Sequence, residues 1–328
     1  MPRSMLARRA LFAALALGAL PLSAYAQTPN FTGKTIRLIV AFPPGGPVDF
    51  VARVIAEPLG KELGTQVIVE NKPGANGALG AEATVRAAPN GSTLWLSSVG
   101  AVAINPSLYE KLSYEPQRDL APVSLVVNNI EVLVVNPKDP ANSAAELIAN
   151  ARSNKTTPTF ASSGTGSIPH LAMEQFADSS KLPLQHIPYK GAAPAITDVM
   201  GGQVQAFFGD IPGLIGHIKS GKVKALGVAS EKRHPLLPDV KTLAEQGFSD
   251  IDSDNWYGLF ATSKTPADTI AVLNAAVRRA IAQPAVRDKL AASGAEPLSS
   301  TSAELAALLK RDTEKWARVI KSKNIKDQ

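Results

Sequence analysis

Residues 161–170 read ASSGTGSIPH, which sets two glycines and four hydroxyl residues around the predicted start of a helix. Backbone N–H groups freed by Gly164 and Gly166, the hydroxyls of Ser162, Ser163, Thr165 and Ser167, and the helix N-terminus beyond them are all hydrogen-bond donors. Such a loop suits a carboxylate or a phosphate. Four further glycine loops have the same character: AFPPGGPVD at 41–49, NKPGANG at 71–77, YKGAAPA at 189–195 and FGDIPG at 208–213. Gly45 and Gly46 serve either a tight turn or a ligand, and Asp49 either caps the next helix or contacts what is bound. Gly74, Gly77 and Gly80 have the wrong spacing for a dinucleotide fingerprint, and no acidic residue follows in a ribose-binding context.

Other chemistries find little support. The chain has no cysteine, which excludes disulfides, thiolate catalysis and thiolate metal sites. His170, His186, His217 and His234 form no i, i+4 pair and no HExxH motif, so neither metal nor cofactor is expected. No GxSxG elbow is present. An exported hydrolase would need Ser163 or Ser167 aligned with His170 and Asp210, whereas ligand-binding hydroxyls explain the same serines without a triad. His170, in the first turn of its helix, has a capping, core or ligand role open to it. Lys190 beside Tyr189 and Gly191 either pairs with an anion or is solvated, and Trp256 and Tyr257 either wall a pocket or belong to a core strand.

Strands alternating with helices must position these loops. KTIRLIVAF (34–42), QVIVEN (66–71) and TLWLSS (93–98) read as strands, with helices from about Asp49, kinked at Pro58, and over 77–88. Residues 122–136 carry a long β-branched run, interrupted by Asn128-Asn129, that is long enough to cross between domains. The pattern then restarts: a helix near 142–153, strand TPTFASS, a helix from Pro169, strand LQHIPY, a helix to Met200, strand VQAFFGD, a short helix from Pro212, and strand VKALGVAS. NWYGLFA (255–261) returns the chain, and two amphipathic helices close it, one with Ile270, Leu273, Val277 and Ile281, the other with Leu305, Leu308, Leu309, Trp316, Val319 and Ile320. This order implies two α/β sheets of the parallel type. Ligands of open α/β sheets lie beyond the carboxyl ends of the strands, where every glycine loop here falls.

The first 26 residues have the form of a cleavable secretory signal: Arg3, Arg8 and Arg9, an apolar stretch at 10–22, then Ala24-Tyr25-Ala26 as the cleavage site. The Arg8-Arg9 pair leaves a twin-arginine route open beside ordinary secretion. Cleavage after Ala26 removes three of the 34 basic residues, leaving 31 against 28 acidic ones, and no basic run is dense enough to follow a nucleic-acid backbone. The remaining length suits two domains, and no later segment has the roughly 20 apolar residues of a membrane span.

The motifs PPGGPVD, VENKPGANG, FASSGTGSIPH, HIPYKGAAPA, GGQVQAFFGDIPG and WYGLFAT, in this order across the whole mature chain, resemble the Bug-type receptors of tripartite tricarboxylate transporters. The resemblance implies a type II periplasmic binding protein fold: two α/β lobes joined by two crossover segments. Lobe one would comprise residues 27–125 plus 251–328 and lobe two residues 126–250. It implies a periplasmic, non-enzymatic receptor, monomeric, that holds a small carboxylate largely through backbone amides and waters and passes it to membrane permease subunits, with no nucleic-acid partner. A receptor feeding a signalling system is the alternative; a regulator effector domain would need a helix-turn-helix where the signal stands. The candidate contacts are Phe42, Pro44, Gly45, Gly46, Asp49, Asn76, Gly77, Ser98, Ser163, Gly164, Thr165, Gly166, Ser167, His170, Tyr189, Lys190, Gly191, Asp210 and Trp256. Asp210 would accept from an amine, hydroxyl or water, since it repels a bare carboxylate.

Overall fold

In the computed structural model, residues 31–323 except 252, together with 325 and 326, are described; the expected signal at 1–26 lies outside them. Strands β1 (Thr35–Val40), β2 (Gln66–Asn71) and β3 (Thr93–Ser98) pair in parallel, joined by helices α1 (Pro47–Leu63) and α2 (Ala78–Val85). Side chains alternate along β1, so Ile36, Leu38 and Val40 enter one apolar core while Ile39 enters another on the opposite face. A strand buried on both faces must be apolar throughout, which explains the unbroken LIV run. Helix α1 continues through Pro58 and ends at Gly64, whose left-handed backbone (φ 64°) lets the Thr65 amide donate to the Gly60 carbonyl at 2.9 Å.

The 122–136 run is two strands, divided at the interruption that Asn128-Asn129 marks in the sequence. β4 (Leu120–Asn128) joins β1 to β3 in a six-stranded sheet, and β5 (Glu131–Val135) joins a separate five-stranded sheet. Asn129 and Ile130 between them change direction. The second sheet is built from β5, helix α3 (Ala144–Asn154), β6 (Thr159–Ser162), α4 (Ile168–Ser180), β7 (Gln185–Pro188), α5 (Ala192–Gly201), β8 (Ala206–Asp210), α6 (Ile211–Lys219) and β9 (Lys224–Val228), in the strand order β7-β6-β8-β5-β9. The chain returns through β10 (Tyr257–Thr262) and ends in α7 (Ala267–Ala282), α8 (Pro284–Ser293), the short strand β11 (Glu296–Pro297) and α9 (Ser302–Ser322). Three closing helices thus stand where two were expected; the apolar residues of α8 are too few for a sustained stripe, only Val286 and Leu290 being buried.

Neither sheet is wholly parallel. β10 runs antiparallel to β3 and β4, and β5 antiparallel to β8 and β9. The reason is topological: the two crossovers carry the chain in opposite directions, so each sheet receives strands travelling against the βαβ units. Where the crossovers meet they pair, the Asn129 amide donating to the Asn255 carbonyl at 3.3 Å and the Asn255 amide to the Asn129 carbonyl at 3.1 Å.

Helix α9 starts with a reciprocal cap between Thr301 and Glu304, then buries Leu305, Leu309, Asp312, Trp316 and Ile320 at helical spacing. The second lobe's core centres on three fully buried phenylalanines, with Phe160 and Phe208 ring centres 6.0 Å apart and Phe176 and Phe208 5.7 Å apart. Phe160→Ala should lower the unfolding free energy by about 3–5 kcal/mol in a urea titration, whereas a loss under about 1 kcal/mol would mean this cluster does not hold the second sheet to its helices.

Candidate functional site

The two lobes face each other across a narrow cleft. Phe42, Pro43, Gly46, Pro47, Val48 and Ser98 line it from one side, and Ser163, Ser167, Ile168, Pro169, Ala192, Phe207 and Asp210 from the other, with Asn255 and Tyr257 closing the base. No lysine or arginine is among these residues.

What faces the cleft instead is a set of helix beginnings. Helix α1 is preceded by Gly46, α4 by Ser167 and α5 by Gly191, and none of these residues caps its helix through a side-chain hydrogen bond. Each helix therefore presents first-turn N–H groups and the positive end of its dipole toward the same space. Ser167, a residue type suited to capping, instead turns its hydroxyl onto the Gly164 carbonyl at 2.7 Å, which fixes the shape of the loop. Gly164 (φ 138°) and Gly166 (φ 77°) adopt backbone conformations closed to most side chains.

Glycines also let the lobes touch. A Cβ on Gly191 would stand 2.6 Å from Pro43 Cδ, one on Gly213 3.3 Å from Pro47 Cδ, and one on Gly166 would overlap Leu108 of the facing lobe. The lobes are therefore in a closed arrangement, in which Ile168 and Leu171 of α4 share a core cluster with Val99, Ala101 and Ile104 from the first lobe.

At the base, Asp210 is buried and fully engaged. Tyr257 donates its hydroxyl to Oδ2, and Asn255 donates Nδ2 to Oδ1 at 3.0 Å. Burial pushes the Asp210 carboxyl up to about 6, although Tyr257, Glu131 and Asn255 each oppose the rise. The expected acceptor role thus has partners within the chain, a hydroxyl and an amide.

Of the sequence candidates, Phe42, Gly46, Ser98, Ser163, Ser167 and Asp210 lie on the cleft. Gly164, Thr165 and Gly166 shape the loop beneath it. Gly191 adjoins it at the contact with Pro43. Asn76 is held by Asn105 at 2.9 Å, and its Oδ1, without a hydrogen-bond donor, is near the position a Gly164 Cβ would take. Gly77 serves close packing, since a Cβ there would stand 2.6 Å from that of Ala101.

Others are placed elsewhere. Pro44 and Gly45 are exposed on the outer side of their turn. Asp49 accepts from Gly45, Arg53 and Asn71, at 3.0, 2.9 and 2.9 Å; burial alone would raise its carboxyl, but these bonds outweigh it and leave the pKa below the ordinary value. It is a turn-and-helix brace. His170 accepts from the Gly166 amide at 3.1 Å and stacks on His186, ring centres 3.8 Å apart, behind the loop. Burial, with His170 beside it, pushes the His186 imidazole down to about 3, so the stack is held without charge on His186. Tyr189 donates to Asp198 at 2.6 Å, and Lys190 points to solvent.

Trp256 is one residue out of phase. It sits in the core and donates Nε1 to Asp312 at 2.7 Å, while its neighbour Tyr257 takes the cleft position, because successive residues of extended chain face opposite ways. Sequence reasoning passed over Asn255 and Phe207 as contacts, and it offered Tyr257 beside Trp256 as a pocket wall without choosing between them. A signal existed for Tyr257: the aromatic WY pair enters a strand whose alternation can seat only one of them at the cleft.

The close approach at Gly166 carries a direct test. Gly166→Ala should hold the lobes apart and increase the radius of gyration by small-angle scattering; a scattering curve identical to that of the wild type would show that this glycine does not govern how nearly the lobes meet.

Comparison with known proteins agrees with this geometry. Residues 51–325 match the model of the family described as "Tripartite tricarboxylate transporter family receptor". The chain is 36% identical to BugT of Bordetella pertussis over 323 residues, 98% of each protein. Among solved structures it is similar to the periplasmic binding protein BugD, with a TM-score of 0.85, 33% identity, and 90% and 99% of the two chains covered. It is also similar to MatC from Rhodopseudomonas palustris with bound malate, with a TM-score of 0.82, 32% identity, and 87% and 98% covered. A third relative in fold, an R. palustris protein with adipate, gives a TM-score of 0.86 at 28% identity, with 89% and 98% covered. The chain belongs to the tripartite tricarboxylate transporter receptor family, the Bug-type solute-binding proteins with the two-lobed periplasmic binding fold.

Proposed function

We propose that this protein is a periplasmic solute receptor that captures a small organic carboxylate between its lobes and delivers it to the permease of a tripartite tricarboxylate-type transporter. The observation that carries this reading is the convergence of three uncapped helix N-termini on a cleft without a cation. Charge-assisted bonds from such N–H groups are each worth about 1.5–3 kcal/mol, sufficient in combination to hold a carboxylate. The malate and adipate held by two relatives support the ligand class.

The contacts assigned to the ligand are the N–H groups at the starts of α1, α4 and α5 and the hydroxyls of Ser98 and Ser163. Phe42, Pro47, Ile168 and Phe207 would enclose the ligand's carbon skeleton. The lobes divide near residues 125 and 251, and closure turns about the paired crossovers at Asn129 and Asn255. Export through the segment at 1–26 would deliver the mature chain to the periplasm.

Among the described residues, Ser167 and His170, weighed as a catalytic pair, have other partners. The Ser167 hydroxyl is committed to Gly164, and His170 Nδ1 accepts from a backbone amide. Ser162 does meet His186 Nε2, at 2.7 Å, but the serine is fully buried and also bonded to Gly164.

A thermal-shift screen against mono-, di- and tricarboxylates, amino acids and aromatic acids tests the proposal. A ligand at 100 times its dissociation constant should add about 2.7 kcal/mol of stability and raise the melting temperature selectively. Absence of any shift, with protein refolded to remove carried-over ligand, would contradict the carboxylate assignment.

A further inference from the structure

Glu131 opens β5 directly after the first crossover, is 0% exposed, and does not line the cleft. It is nevertheless tied to the cleft wall. It is the cross-strand partner of Asp210, and Asn255 from the second crossover reaches both carboxyls through Nδ2, Asp210 Oδ1 at 3.0 Å and Glu131 Oε1 at 3.4 Å. Glu131 Oε2 is buried without a donor. Among the described residues, the surrounding elements bring no cation to this pair. Tyr257 from β10 donates to Asp210, Ser253 spends its hydroxyl on the Ala229 carbonyl, and His234 is bonded to the Gly294 backbone. Two adjoining carboxylates in such a setting, both ionised, would meet unrelieved repulsion and desolvation.

We infer that Glu131 is a positioning residue for the cleft: it carries a proton that it donates to Asp210, so the buried pair bears one negative charge and holds Asp210 as the acceptor for Tyr257 and Asn255. Burial, then the charge of Asp210, pushes the Glu131 carboxyl well above its ordinary value, in keeping with this assignment. The arrangement ties the end of β8 to the starts of β5 and β10, where both crossovers meet. It also limits the charge that an incoming anion faces across the cleft, a consequence that rests on the carboxylate reading above; the proton itself does not.

The sign of the pH effect follows. Both carboxyls have folded pKa values raised above their unfolded ones, so the pair's contribution to stability is complete below the ordinary carboxylate range and is lost as pH rises through about 6 for Asp210 and higher for Glu131. Glu131→Gln keeps a donor toward Asp210 and has no proton to lose. Its melting temperature should therefore decline less than that of the wild type between about pH 5 and about pH 8, whereas Glu131→Leu, with no donor, should be destabilised at every pH.

The direct test needs no ligand. In infrared spectra of the folded full chain in neutral D₂O, labelling glutamate with ¹³C should shift the carbonyl stretch of a protonated carboxylic acid, and that band should be missing from Glu131→Gln. Failure of the Gln variant to fold would leave the wild-type spectrum decisive. Absence of a protonated glutamate band in the wild type at neutral pD, or parallel melting profiles for wild type and Glu131→Gln, would overturn the inference. Neither outcome depends on which solute the cleft accepts, so it would leave the carboxylate reading standing.

Discussion

The Asp210 carboxyl, buried at the end of β8 and bonded to Tyr257 and Asn255, is the interaction on which the arrangement of the two lobes depends. It joins two stretches of chain that are distant in sequence: a strand end of the second lobe, and the returning segment that runs from Asn255 in the crossover to Tyr257 at the start of β10 in the first lobe. Next to it, Asn129 and Asn255 exchange backbone hydrogen bonds between the two crossovers. A hinge of this kind has few residues and many bonds. It lets each lobe keep its own apolar cores while fixing the line about which the lobes meet.

A second constraint follows from leaving cations out of the cleft. An arginine or lysine would bind a carboxylate strongly but would impose its own length and geometry on the ligand. Helix N-termini supply positive potential from the backbone, and their positions are set by packing against the sheets. On the reading proposed above, specificity would rest on the width of the closed cleft and on the apolar walls at Phe42, Pro47, Ile168 and Phe207. Two relatives hold different solutes, malate in one and adipate in the other.

Much of the fold was legible in the sequence because its signals are local. Apolar runs bounded by glycine loops marked β1 to β3, and the positive backbone angles of Gly164 and Gly166 are what a glycine-rich loop predicts. The two-lobed order followed from βαβ units interrupted by one long β-branched run. Contacts that depend on the third dimension were less accessible. The break at Asn129 is set by a partner 126 residues away. Asp49 stands beside a cleft loop yet is claimed by Arg53 and Asn71, a partnership that periodicity does not disclose. Trp256 and Tyr257 differ by one step of strand alternation, and only the position of α9, with Asp312 beneath the indole, decides which of them faces inward. Glu131 gave no sign at all, since a lone acid at the head of an apolar strand reads as a strand boundary.

On the proposed reading, a carboxylate is held by backbone N–H groups at the helix beginnings. Backbone amide chemical shifts, recorded while titrating the protein with whichever carboxylate stabilises it most, test that claim most directly. Large, saturable changes are expected at Gly46 and Val48, Ser163–Ile168 and Gly191–Ala192, with smaller ones at Asn129 and Asn255 as the crossovers adjust. Saturable changes centred on surface lysines or elsewhere outside the cleft, with those three segments unmoved, would contradict that reading.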